Sequence, residues 1–181
     1  METVTILPRS RALTRADLEQ VPDDGHRYEL IDGVLLVTPA PAMRHQRAVL
    51  NLAVRLREAC PDDLEVFVAP FAVALAEDTE LQPDVLVARL ADLTEHDLPA
   101  APVLAVEVLS PSTRLIDLNL KKARFEVART PAYWVVDPLE PRLRAWELRG
   151  AQYVEVADVA GDVPFEATVP FQVRVVPASL V

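Results

Sequence analysis

Two carboxylates in this chain interrupt short apolar runs, where a charge is expensive. Glu107 breaks the run Val103 to Leu109 within PVLAVEVLSPST, and Asp84 breaks QPDVLVA. An ionised group buried in such a run loses its water and must be paired, hold a metal or take up a proton. Two acids on neighbouring strands make a hard, oxygen-rich site suited to Mg²⁺ or Mn²⁺. Lys121, on the helix that follows Glu107, falls in the sector expected to pack inward. A lysine there can orient or help deprotonate an attacking water, or stabilise charge developing on a phosphate. A third carboxylate, Glu29, sits in RYELIDG.

The elements that must position these residues follow from hydrophobic pattern and turn signals. Val103 to Leu109, closed by Ser110-Pro111, predicts a strand buried on both faces in the middle of a sheet. Glu107 lies near its C-terminal end, where open α/β sheets place ligands. Gln82 to Ala88 predicts a second buried strand with Asp84, Leu86 and Ala88 on one side. Arg27 to Val37 predicts a hairpin about Asp32-Gly33, with Arg27, Glu29 and Ile31 on one face and Tyr28 and Leu30 on the other. A helix from about Arg114 to Arg129 puts Asp117, Lys121 and Arg124 inward, and Asn119, Lys122, Glu126 and Arg129 outward.

The remaining elements are a short helix, Thr14 to Gln20, capped by Thr14, and a longer one, Met43 to Ala59, packing through Val49, Leu52, Ala53 and Leu56. Leu64 to Leu75 reads as one strand bent at Pro70, Glu77 to Glu80 as a solvated turn, and residues 91–101 as an irregular connection. Ala132 to Asp137 is a strand, Leu143 to Leu148 and Tyr153 to Val156 form a hairpin, and Pro170 to Val176 adds a last strand. Residues 1–12 are expected to be loosely ordered. The order predicts a single α/β domain over residues 1–181, a mixed central sheet with helices packed on it.

Composition narrows the function classes. Half the residues are hydrophobic (51%), and no apolar run is long enough to span a membrane. The start has no signal-peptide core, and one cysteine, Cys60, excludes an internal disulfide and a cysteine metal cage. A cytoplasmic location is expected. The net charge of −10 argues against a broad basic surface for nucleic acid, and leaves room for a local groove or a metal-mediated contact.

The series RYELIDG, QPDVLV, VLAVEVLSPST, the spaced Asp117 and Lys121, and AYWVVDP together resemble one family. It is a family of small bacterial restriction-endonuclease-like proteins in the PD-(D/E)XK nuclease superfamily, and the resemblance covers roughly residues 13–150. It implies a restriction-endonuclease-like core and Mg²⁺-dependent hydrolysis of DNA phosphodiester bonds, with Mn²⁺ as a substitute. Asp84 and Glu107 would hold the metal, helped by the backbone carbonyl of Val108. Leu109 stands where the superfamily lysine is expected, and the family places that lysine on the next helix, at Lys121. Glu29 would be an outer or second-metal ligand, and a homodimer is implied. The chain departs from the family at Phe125, where relatives often have tyrosine, and at Thr130-Pro131-Ala132.

Plainer readings compete. Glu107 could be the buried partner of Lys121 or Arg124, Asp84 a turn residue after Pro83, and Glu29 an exposed hairpin residue. Lys122 could take the place of Lys121 if the helix phase is off by one. Asp117 reads as an i,i+4 helix partner of Lys121, and His45 as a surface residue. A non-catalytic binding or regulatory module that retains the fold is the alternative to an enzyme.

Overall fold

The computed structural model describes residues 11–22, 24–38 and 40–181, so the looseness expected of residues 1–10 lies outside the described residues. Arg11 pairs with Asp17, and a Cβ on Gly33 would meet the Ala12 Cβ at 2.5 Å, so residues 11 and 12 are held against the hairpin turn. The described elements run α1 (Arg15–Leu18), β1 (Arg27–Ile31), β2 (Val34–Thr38), α2 (Met43–Ala59), β3 (Leu64–Val68), β4 (Ala72–Ala76), β5 (Thr79–Leu81), β6 (Val85–Arg89), β7 (Asp97–Leu98) and β8 (Leu104–Val108). A π-helical turn (Ile116–Lys121) then leads into α3 (Lys122–Val127), followed by β9 (Ala132–Asp137), β10 (Arg142–Arg149), β11 (Gln152–Ala160), β12 (Phe165–Ala167) and β13 (Val173–Val175).

Among the described residues the strands form three sheets. The central one has the order β11-β10-β9-β8-β6-β3 and is mixed, with β8 parallel to β9 and its other pairs antiparallel. β8 is therefore interior, and all five of its residues are buried. A second sheet, β2-β1-β5-β4-β7, lies over one face, and β12-β13 form a separate ribbon.

Alternation sorts the core into two layers. Val85, Val87, Leu104, Val106 and Val108 pack with Leu52 and Leu56 of α2 and with the C-terminal ribbon. Leu86, Ala88, Ala105, Leu109 and Tyr133 face the other way, toward Ile31, Val73 and Leu81 of the second sheet and Phe125 of α3. α2 has no side-chain cap at Ala42. A cap contributes about 1 kcal/mol, whereas each buried leucine contributes about 1.5–3 kcal/mol, so packing holds this helix.

Three expectations need correction. Leu64 to Leu75 is two strands, β3 at the edge of the central sheet and β4 in the second sheet. Pro70, with no N–H to donate, marks the crossing. The acidic turn is confined to Glu77-Asp78: Thr79 is buried at the start of β5, and Glu80 pairs with Arg15 at 2.7 Å. The 91–101 connection also contains the short β7, parallel to β4. No helix among the described residues is long and apolar enough to cross a membrane.

Candidate active site

The β6–β8 register pairs Val85 with Val106, and one step further sets Asp84 beside Glu107. Leu86 and Ala88 lie between the sheets, as do Ala105 and Leu109, so alternation puts both carboxylates on that face. The second sheet supplies Arg27 and Glu29 from β1. The tight turn beyond them, with Asp32 and Gly33 at φ 51° and 74°, is the hairpin geometry an Asp-Gly pair favours. Lys121 and Asp117 come from the π-helical turn. The helix ends where Arg129 adopts a left-handed φ of 68°, with Thr130 N–H bonded to the Phe125 carbonyl.

The Lys121 ammonium sits 2.8 Å from Glu29 Oε1, 3.2 Å from Glu107 Oε1 and 3.8 Å from Asp117 Oδ1. All four side chains are at most 3% exposed. Glu29 Oε1 also accepts the Gln82 N–H at 2.8 Å, while its Oε2 is buried without a hydrogen bond. Asp84 stands at the mouth. Its Oδ1 receives Arg27 Nη1 at 2.7 Å, and its Oδ2 receives the Val108 N–H at 2.8 Å and lies 3.1 Å from His45 Nε2. Asp117 Oδ2 accepts the Thr113 hydroxyl at 2.7 Å, and the Tyr133 hydroxyl donates to the Asp117 carbonyl at 2.8 Å. Arg27, His45 and Asp84 line an open pocket of about 780 Å³.

Charge in this cluster is unbalanced. Four carboxylates (Glu29, Asp84, Glu107, Asp117) surround two permanent cations, Lys121 and Arg27. Burial pushes the Glu107 carboxyl well above its usual range; Lys121 opposes this, and Asp84, Asp117 and Glu29 add to it. Burial, outweighing Lys121, also raises Asp117, to about 6. Burial alone would raise Asp84 too, but the His45 hydrogen bond and the Arg27 charge hold it below the usual range. Lys121 stays firmly charged because its carboxylates outweigh its burial.

A surplus of buried carboxylate that otherwise has to bind protons, with one oxygen of Glu29 lacking any hydrogen bond and only a 3.7 Å ion pair to Arg27, is a donor set that fits a hard divalent cation. Among the described residues no three His, Cys, Asp or Glu side chains form a ready metal cage. Mg²⁺ does not require one, since it is commonly held by one or two carboxylates with water and substrate phosphate.

The cluster thus gathers Glu29, Asp84, Glu107 and Lys121, and brings the Val108 backbone against Asp84. Lys122 is elsewhere, its ammonium 4.5 Å from the centre of the Trp146 ring. Arg124 pairs with Asp32, so it is not the partner of Glu107. Glu29 is fully buried and not an exposed hairpin residue. Two readings are corrected. Asp117 is buried in the cluster beyond any helix-supporting role, and His45 reaches Asp84 from α2 and is no surface residue. Arg27 joins the cluster with no motif of its own in the sequence; the face it shares with Glu29 is the one signal for it.

A family model described as "Putative restriction endonuclease" (Uma2) matches residues 15–176. Among curated proteins none matches. Of the solved structures, a putative nuclease belonging to DUF820 from Anabaena variabilis ATCC 29413 aligns with a TM-score of 0.67 at 17% identity, over 87% of this chain and 88% of that one. At that identity the likeness speaks to the fold, an α/β architecture of the restriction-endonuclease-like kind. The family match spans every element of the buried cluster, and this chain belongs to the Uma2 family of restriction-endonuclease-like proteins.

Proposed function

We propose that the protein is a Mg²⁺-dependent endonuclease that hydrolyses phosphodiester bonds in DNA. The observation that carries this reading is the Lys121 ammonium shared between Glu29 and Glu107, on the sheet face that also presents Asp84. Asp84, Glu107 and the Val108 carbonyl would hold the cation, and Mn²⁺ would substitute for it. The cation supplies a Lewis acid and a bound water of lowered pKa. Lys121 orients the attacking water and stabilises the charge that develops on the phosphate. Glu29 aims Lys121 through Oε1, while its Oε2 lies 3.7 Å from Arg27 Nε, on the side of the cluster toward Asp84. In this reading the protein works in the cytoplasm as a homodimer, which sedimentation of the purified chain checks.

The test is incubation with single-stranded and duplex DNA in Mg²⁺, Mn²⁺ or EDTA. Cleavage should require metal and should fall by about 10²–10³ in Lys121→Ala and Asp84→Ala, the scale of losing a group that stabilises developing charge. Cleavage in EDTA, or equal cleavage by Asp84→Ala, contradicts the mechanism. A non-catalytic module is the second reading. It is favoured by the engagement of both Asp84 oxygens with Arg27, His45 and the Val108 N–H. That reading, which keeps the fold and a residual metal site, expects no cleavage in Mg²⁺, Mn²⁺ or EDTA.

A further inference from the structure

We propose that the pocket in front of Asp84 is a binding site for an unpaired strand of DNA and does not admit intact duplex; the proposal rests on the nuclease reading and names the substrate class of that site. The pocket, of about 780 Å³, lies in the 300–1,000 Å³ range of sites that enclose a small ligand. Its floor is Asp84, only 3% exposed, with Glu107 and Lys121 behind it at 1% each. A reacting phosphate must therefore descend into the pocket. Duplex DNA is a stiff rod that carries its phosphates on the outside and bends only at a cost of kilocalories. A single strand is flexible and can lower one phosphate while its bases splay against the walls.

The walls suit such bases. Pro22, Pro41 and Val49 are apolar, and the rings of Tyr28 and His26 stand edge to face with centroids 6.3 Å apart. Single-strand sites stack bases on rings of this kind, beside cations that follow the backbone. Charge limits the site to contact with very few phosphates, which a long duplex footprint exceeds. Arg27 is the one lysine or arginine lining the pocket among the described residues, where Glu19 and Glu80 also lie, and the chain carries −10 overall. Duplex binding depends on neutralising many phosphates, and this wall provides for about one. The start of α2, without a side-chain cap at Ala42, borders the same pocket, and helix N-termini favour anions.

The test measures fluorescence anisotropy with a labelled oligonucleotide of about 12 nucleotides, alone or annealed into blunt duplex, across a salt series in EDTA. The single strand should bind about tenfold more tightly or better, with a log–log salt slope of about 1 in magnitude. Ala42→Trp, at an exposed position on the rim, should weaken that binding about tenfold or more while leaving the melting temperature unchanged. Equal or tighter duplex binding, a slope near 5 or steeper, no effect of Ala42→Trp, or no binding of either form overturns the proposal. Single-strand binding without cleavage in Mg²⁺ or Mn²⁺ supports the pocket and rejects the nuclease reading. Cleavage confined to duplex keeps the nuclease and rejects the pocket.

Discussion

Lys121 and Glu107 are in contact, but their removal should have opposite consequences. Lys121→Met leaves Glu29, Glu107 and Asp117 facing one another, all buried. Uncompensated buried charge of this kind costs about 3–5 kcal/mol, and protonation of a carboxylate recovers part of it. Glu107→Gln removes one member of a carboxylate surplus while Lys121 keeps Glu29, its nearer partner. In EDTA that variant should match or exceed wild type in stability, by up to about 1 kcal/mol, the scale of a one-unit pKa shift. Thermal melts in EDTA and in excess Mg²⁺ check both. Wild type should gain stability from metal and Glu107→Gln should lose that gain. A large loss in Glu107→Gln in EDTA, with no metal response in wild type, would make Glu107 a structural ion-pair partner.

At the scale of elements, the unusual piece is the π-helical turn, a feature frequent at functional sites. It carries Asp117 and Lys121 inward together, ahead of a regular turn anchored by Phe125. The Tyr133 hydroxyl, fully buried on β9, bonds the Asp117 carbonyl within it. Tyr133→Phe should cost about 1–2 kcal/mol in urea denaturation, the penalty of a buried hydrogen bond left unmade. It should also slow turnover although Tyr133 is placed in no contact with substrate; unchanged stability and turnover would show that packing alone sets the turn. The pattern of residues 104–137 predicts β8, β9 and an inward Lys121, because apolar runs, Ser-Pro and Thr-Pro stops and helical spacing are local signals. The π geometry carries no local signal in the sequence: the turn meets β9, distant in the chain, through the Tyr133 hydroxyl on the Asp117 carbonyl. Arg27 and His45 meet at Asp84 from elements 57 and 39 residues away, which no short spacing encodes. The division of Leu64 to Leu75 between two sheets escapes for the same reason: one continuous apolar run serves two layers.

For the whole molecule, the raised carboxyls of the buried cluster, Glu107 and Asp117, make stability depend on pH in the opposite sense to the surface, whereas the lowered Asp84 acts with the surface. Asp24, Asp137 and Asp158 are held below the usual carboxylate range, Asp24 by hydrogen bonds from His26 and Tyr28, and Asp158 by Arg142. In Asp137 burial is outweighed by hydrogen bonds from Arg114 and the Leu139 N–H. Such lowered groups contribute stability above their unfolded pKa, and that stability is lost only as pH falls below about 4. Asp117 is raised to about 6, so between about pH 4 and 6 the folded protein holds a proton that the unfolded chain has released. Its contribution is complete below about pH 4 and disappears as pH rises through 6. A shift of roughly two units corresponds to about 3 kcal/mol. The overall charge of −10 also grows less negative toward acid, but that change is nearly common to wild type and Asp117→Asn and cancels between them. Urea unfolding of both in EDTA, from pH 4 to pH 7, should show wild type losing up to about 3 kcal/mol relative to the variant. Excess Mg²⁺ should shrink that loss, because added positive charge favours the ionised carboxylate. A pH-independent difference would mean that Asp117 stays ionised against Lys121 throughout, and that the cluster carries no surplus charge for a metal to relieve.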